Sequence, residues 1–239
     1  MITAPPEGRG VSREHAREQR IALFGGTFDP IHVGHLAVAR AAERRFHLDE
    51  VHFIPTGHPP HKHRRDMASY ADRYAMVSLA CADHPRFVPS LAEAGTDFSG
   101  RETFYSIDTV RHYKQESHGA NTHFYFLLGA DSFLDIPTWK EYETLLGLCD
   151  FIVVSRPGFK LEALRLVIPP ELFARRGAAH APLDPRAIAL RRTVVYVLDS
   201  VSSDVSATGV RHRLDRNTSI HGLVPPRVEE YISKKALYR

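Results

Sequence analysis

Ile21-Ala22-Leu23-Phe24-Gly25-Gly26-Thr27-Phe28-Asp29-Pro30-Ile31-His32-Val33-Gly34-His35 decides how the rest of the chain is read. Its opening apolar run, 21–24, reads as a buried strand. Gly25 and Gly26 let the backbone come close to a ligand. Asp29 is expected to hold the loop extended, because a residue before proline avoids the helical region. His32 and His35 then arrive three apart as an amphipathic helix begins, with Leu36, Val38, Ala39 and Ala42 on its apolar side. That spacing puts both imidazoles on one side of the helix entry. A helix N-terminus offers unpaired N–H groups and the positive end of a dipole, which suit phosphate. The imidazoles add donors, and charge when protonated. The stretch reads as a nucleotide-phosphate site. It is neither the G-x-G-x-x-G fingerprint nor a Walker loop, which needs Gly-Lys-Ser/Thr.

Outward from this stretch, apolar runs at 21–25, 51–54, 86–88, 123–129, 151–155 and 194–199 read as strands. Helical patterns lie between them at 34–46, 69–82, 103–116 and 139–147. Alternation of strand and helix, with strands too continuous to face water, gives an α/β fold: a doubly wound, mostly parallel sheet. Ligands in such sheets sit beyond the carboxyl ends of the strands, where the winding reverses. The loops that matter are therefore 25–35, 55–66 and 129–139. Residues 21–204 form the nucleotide-binding domain. A helical segment over 205–239 packs on it, with helices near 207–214 and 227–236, and Pro226 suits a first helical turn. Residues 159–192 are expected to hold a helix and an irregular excursion. Residues 1–20 read as a mobile arm with a local helix over 12–20.

The 239 residues suffice to bury roughly 70–75% of the unfolded surface. A net charge of +3 permits an anionic substrate but does not argue for nucleic acid. Cys81 and Cys149 lack C-x-x-C spacing and read as reduced buried thiols of a cytoplasmic protein. No run reaches membrane-spanning length, and the first twenty residues lack the apolar core of a secretory signal.

Further stretches carry chemistry. The loop Pro55-Thr56-Gly57-His58-Pro59-Pro60-His61-Lys62-His63 presents three histidines and a lysine on a proline-stiffened backbone. It reads as a phosphate clamp with Lys62 as the point charge, as a metal site shared with His32 and His35, or as an inert solvated loop. The stretch from Glu102 to Thr109 opens a helix that Thr103 can cap. Asp131, after Gly129, can accept from a ribose or simply cap a helix. Trp139 is either core or an aromatic platform for a flat heterocycle. Arg156 is a surface charge or a bidentate anion donor. Val205-Ser206-Ala207-Thr208-Gly209-Val210-Arg211 reads as a capped surface helix.

The segment from Gly25 to His35 resembles Gly-Gly-Thr-Phe-Asp-Pro-x-His-x-Gly-His, the signature of nucleotidyltransferases related to class I aminoacyl-tRNA synthetases. Residues 20–239 are similar to the bacterial nicotinate mononucleotide adenylyltransferases. The resemblance implies a Rossmann-like nucleotidyltransferase fold and adenylyl transfer from ATP to nicotinate mononucleotide. The products would be deamido-NAD and pyrophosphate, with Mg²⁺ carried on the ATP and no protein metal site. It implies ATP binding by Gly25, Gly26, Thr27, Phe28, His32, His35, Gly129, Asp131, Ser206, Thr208 and Arg211. Catalysis falls to His32, His35, Lys62 and Arg211. The mononucleotide would meet Lys62, Tyr105, Ser106 and Trp139, and Arg156 joins them on its own chemistry as a bidentate anion donor. Tyr105, Asp108 and Thr109 match the family's Ser/Pro-Tyr-Thr-x-Asp-Thr; Phe104 and Ser106 depart from it, the second keeping its hydroxyl.

Other readings stay open on the residues alone. One is a sister transferase acting on nicotinamide mononucleotide, phosphopantetheine or glycerol phosphate. Another is a catalytically silent nucleotide-binding protein, and a third is a metal-dependent hydrolase. No nucleic-acid or membrane partner is expected, and homo-oligomerisation is not decided by these residues.

Overall fold

The computed structural model describes residues 17–57, 67–95, 104–117, 121–155, 158–175, 184–199 and 204–238. At its centre β1 (Gln19–Gly26) pairs in parallel with β2 (Glu50–Pro55) on one side and β4 (Thr122–Gly129) on the other. β3 (Phe87–Pro89) extends the sheet beyond β2; β5 (Asp150–Val154) and β7 (Val194–Leu198) extend it beyond β4. β6 (Ala187–Ala189) closes that edge, antiparallel to β7. The order is therefore β3-β2-β1-β4-β5-β7-β6. The chain winds outward from β1 to β3, returns to β1's other side at β4, and winds the opposite way. The carboxyl ends of β1 and β4 thus flank the switch point of a doubly wound, Rossmann-like sheet.

Side chains of a strand alternate between faces, and here both faces are covered. Along β1, Ala22 and Phe24 enter one core cluster while Ile21 and Leu23 enter the other. Along β4, Tyr125 and Leu127 share the first cluster; Phe124, Phe126 and Leu128 share the second. This double burial explains strands that are apolar at every position instead of every other one. The first face is covered by α1 (Val33–Phe46), α2 (Tyr70–Cys81), α7 (Ala207–Asp215) and α8 (Pro226–Lys235). The second is covered by α3 (Ser106–Glu116), α4 (Ala130–Leu134), α5 (Tyr142–Leu146) and α6 (Leu161–Arg165). Val228 and Ile232 tie α8 to the first core, each fully buried and contributing roughly 1.5–3 kcal/mol.

Several local expectations are corrected. Gln19 and Arg20 are strand, not the end of a helix over 12–20. Their N–H groups reach the Asn121 carbonyl (2.8 Å) and the Asp49 carboxylate (2.9 Å), partners that an extended backbone satisfies. The helix expected over 103–116 starts at Ser106 with Tyr105 as its N-cap; Thr103 lies outside the described residues. The helix expected over 139–147 is a 3-10 turn (Ile136–Thr138) followed by the single turn α5, because Glu141 adopts a left-handed φ of 50°. Residues 159–192 hold α6 and a second 3-10 turn, and also β6, a strand the sequence pattern did not suggest. Cys81 and Cys149 are free and buried, and burial pushes both thiols up to about 12. Among the described residues no helix is long and apolar enough to cross a membrane.

Candidate active site

The loop after β1 is built around Phe28. Its backbone is left-handed (φ 48°), its ring is buried, and it meets Phe24 and His35 edge-on at 5.6 and 5.0 Å. A Cβ at Gly26 would lie 2.9 Å from that ring, so Gly26 is needed for packing as well as for access. The expected extended step at Asp29 is instead a turn with a cis Asp29–Pro30 peptide, in which buried Asp29 accepts from several partners. Its Oδ1 accepts from the Ala68 N–H (3.1 Å) and the Tyr238 hydroxyl (2.7 Å), and its carbonyl from Arg211 (2.6 Å).

His32 is the N-cap of α1 and His35 lies one turn in. Their rings stack, with centroids 3.7 Å apart and planes 28° apart. The His32 N–H donates to His35 Nδ1 at 3.2 Å, so neutral His35 carries its proton on Nε2 and presents a donor there. Among the described residues the buried Nδ1 of His32 has no hydrogen-bond partner. Burial disfavours the imidazolium form and pushes His32 down to about 4. It pushes His35 well below its ordinary value too, helped by the neighbouring His32. Both rings are therefore neutral at physiological pH, and their charge is not standing in wait for an anion. The helix start is also less open than expected, because Val33 N–H donates to the Leu223 carbonyl (3.0 Å) and His32 N–H to its partner histidine. These two amides are therefore already taken within the chain.

α7 approaches the same loop. Ser206 caps it, its Oγ accepting from the Gly209 N–H at 3.1 Å. Arg211 sits one turn further, with Nη1 on the Asp29 carbonyl and Nη2 on Thr208 Oγ1 (3.1 Å). Two of its five N–H donors are thereby fixed, and the guanidinium is held against the histidine loop. Ser206 and Thr208 are exposed beside it. Gly129 and Asp131 follow β4, across the switch point. Both are exposed, and a Cβ at Gly129 would meet nothing within 4 Å. Asp131 lies inside the first turn of α4, whose N-cap is Gly129, so the N-cap reading of Asp131 does not hold.

Tyr105, Ser106 and Trp139 gather on the β4 side. Tyr105 is an exposed N-cap, and the Lys140 ammonium lies 4.6 Å from its ring centroid. Lys140 also pairs with Asp108 (3.2 Å), and Arg111 grips Glu141 with two hydrogen bonds (3.3 and 2.7 Å). These pairs staple the first turns of α3 to the Trp139 loop. Half-buried Trp139 leans edge-on against Phe126 at 6.0 Å. Lys62 and Arg156 lie outside the described residues, as do His58, His61 and His63.

The family model described as Cytidylyltransferase-like matches residues 23–213. A Geobacter sp. (strain M21) protein named "Probable nicotinate-nucleotide adenylyltransferase" is 41% identical over 222 residues, covering 92% of this chain and 98% of that protein. A Moorella thermoacetica protein of the same name is 38% identical, covering 93% of each chain. The chain belongs to the nicotinate-nucleotide adenylyltransferase family. The fold agrees: Plasmodium falciparum nicotinic acid mononucleotide adenylyltransferase complexed with NaAD superposes with a TM-score of 0.68, at 21% identity over 92% of this chain and 98% of that one.

In this member of the adenylyltransferase family the site also contains residues that motif reading passed over. Arg73, 1% exposed, donates to three carbonyls: Ala68 (3.3 Å), Thr27 (2.8 Å) and Gly57 (3.2 Å). Its signal was an arginine on the buried stripe of α2 with Met76, Val77 and Ala80. Buried Glu93 accepts from the Gly57 N–H (3.3 Å) and from Thr109 Oγ1 (2.8 Å). Burial raises its pKa, opposed by those two hydrogen bonds and by Arg73. Nothing in Ser90-Leu91-Ala92-Glu93 marked it beforehand. Among the described residues no three His, Cys, Asp or Glu side chains are arranged to hold a metal ion.

Proposed function

We propose that this chain transfers the adenylyl group of MgATP to the phosphate of nicotinate mononucleotide, releasing pyrophosphate and forming deamido-NAD. The observation that carries the reading is the stacked pair His32–His35 at the switch point, with Arg211 anchored on the same loop. Membership of the adenylyltransferase family supports it.

The nucleophile needs no general base. A phosphate monoester has its second pKa near ~6 and is mostly dianionic at neutral pH. The difficulty is to join two polyanions and to stabilise charge on the α-phosphoryl oxygens, which is a matter of positioning and electrostatics. In this reading the backbone of Gly25, Gly26, Thr27 and Phe28 lines the phosphates. Neutral His35 donates from Nε2 to the α-phosphoryl group beside His32. An arriving triphosphate favours the imidazolium form of His32, so positive charge is added there as negative charge accumulates, while His35 Nδ1 stays the acceptor of the His32 N–H. Arg211, Ser206 and Thr208 take the leaving pyrophosphate. Exposed Asp131 beyond Gly129 accepts from the adenosine ribose. Tyr105, Ser106 and Trp139 form the pyridine side, and Lys62 and Arg156 are assigned to the mononucleotide on residue chemistry alone. Mg²⁺ enters as part of the ATP substrate.

The test offers MgATP with either the acid or the amide mononucleotide and measures pyrophosphate release. Faster release with the acid supports the proposal. Preference for the amide overturns the choice of base, and no release with either overturns the reaction.

A further inference from the structure

We propose that Glu93 and Arg73 are positioning residues that set the distance between the walls of the mononucleotide pocket by holding the peptide of Gly57 from both sides. The proposal rests on the adenylyl-transfer reading above.

Gly57 opens the loop after β2, and both of its polar backbone groups are taken by charged side chains. Its N–H donates to Glu93 Oε2 at 3.3 Å, and its carbonyl accepts from Arg73 Nη2 at 3.2 Å. Each charged group then reaches a second wall. The other oxygen of Glu93 accepts from Thr109 Oγ1 at 2.8 Å, and the Thr109 N–H bonds to the Tyr105 carbonyl at 3.1 Å. Glu93 therefore spans from Gly57 to the turn that carries Tyr105 and Ser106. Arg73 Nη1 reaches the Thr27 carbonyl at 2.8 Å, so Arg73 spans from Gly57 to the phosphate loop.

The contact has no slack. A Cβ at residue 57 would lie 2.4 Å from the Glu93 carbonyl oxygen and 2.9 Å from the Phe104 ring. Both charged side chains are buried, Arg73 at 1% exposure and Glu93 at 8%. Burying two charges is a costly way to fill a core, and apolar packing of similar volume is often as stable or more so. What the charges supply is direction: fixed hydrogen bonds that set three loops against one another. Misplacing a reacting group by about 1 Å can cost about a hundredfold in rate, so such a brace bears on catalysis without touching substrate.

The test varies each substrate separately in the full chain. In Glu93→Gln one amide oxygen replaces two acceptors, and the NH₂ faces a donor. KM for nicotinate mononucleotide is expected to rise about tenfold or more while KM for ATP stays within about twofold. Arg73→Lys keeps the charge but loses the fork. It is expected to raise both KM values, because the link to Thr27 is lost along with the link to Gly57. Thr109→Val removes the hydroxyl that donates to Glu93 Oε1 at 2.8 Å and, more weakly, to the Tyr105 carbonyl at 3.4 Å, and serves where Glu93→Gln does not fold; it is expected to show the same one-sided rise, smaller in size. Folded Glu93→Gln or Thr109→Val protein with unchanged KM values, or with equal rises for both substrates, overturns the proposal. Absence of turnover in the wild-type chain with this mononucleotide sinks the parent reading instead, so the two failures are distinct.

Discussion

The hydroxyl of Tyr238 donates a 2.7 Å hydrogen bond to Oδ1 of Asp29, fastening the segment after α8 to the loop between β1 and α1. The phenol is kept protonated by burial and by its carboxylate acceptor, both of which push its pKa well up. Asp29 in turn carries Arg211 on its carbonyl. The segment that follows the last helix is thus wired into the proposed phosphate site.

Tyr238→Phe is expected to cost about 2 kcal/mol of stability, the scale of a hydrogen bond to a buried carboxylate, read from urea unfolding. It is also expected to lower kcat several-fold, because Asp29 and Arg211 lose a fixed reference. Unchanged stability and turnover would show that the contact is incidental.

His35→Ala removes the Nε2–H donor and the stacking partner of His32. Turnover is expected to fall about a hundredfold or more, the usual loss when a transition-state donor is deleted. Circular dichroism is expected to stay native, since only part of the ring is covered. Near-wild-type kcat refutes the assigned role.

The two depressed imidazoles make a pH signature. A histidine near 4 when folded and 6.5 when unfolded leaves the unfolded chain binding the extra proton between those values. Stability from His32 is therefore fully present above about pH 6.5 and is lost as pH falls towards about 4, at about 1.4 kcal/mol per pH unit. His35 adds in the same direction. Thermal unfolding of the ligand-free protein against pH should show this slope, and His32→Gln/His35→Gln should flatten it. An identical slope in the double variant contradicts the burial effect.

Arg211→Lys keeps a positive charge while replacing a planar fork with a point charge. One ammonium does not hold the Asp29 carbonyl and Thr208 Oγ1 together and still face a ligand. kcat is expected to fall about tenfold or more, and product inhibition by pyrophosphate to weaken in parallel. Retention of both properties would remove Arg211 from the leaving-group role.

Much of the sheet was legible because its central strands are buried on both faces, which leaves unbroken apolar runs such as 21–24 and 124–128. β6 was not, because Ala187-Ile188-Ala189 holds a single large apolar residue, whereas the equally short edge strand β3 shows Phe87 beside Val88. The grouping of His32 with His35 followed from helical spacing, since three residues nearly complete a turn. The protonation state of that pair did not follow, because it depends on how Phe28 and Phe24 pack on the His35 ring and how His35 stacks on His32. The occupied amide of Val33 was equally hidden: its acceptor, the Leu223 carbonyl, is distant in sequence. Arg73 carried a faint mark, a charge on an apolar helical stripe, whereas Glu93 acquires its partners only when β2, β3 and α3 come together.

Uncharged imidazoles at the heart of the pocket have a consequence for chemical intervention. A site of standing cations would demand anionic inhibitors, which cross membranes poorly. Here a neutral molecule bearing a sulfonyl or carbonyl oxygen can accept from His35 Nε2 without matching a charge at that ring. At these two rings, affinity does not call for a charge that would slow passage through a membrane.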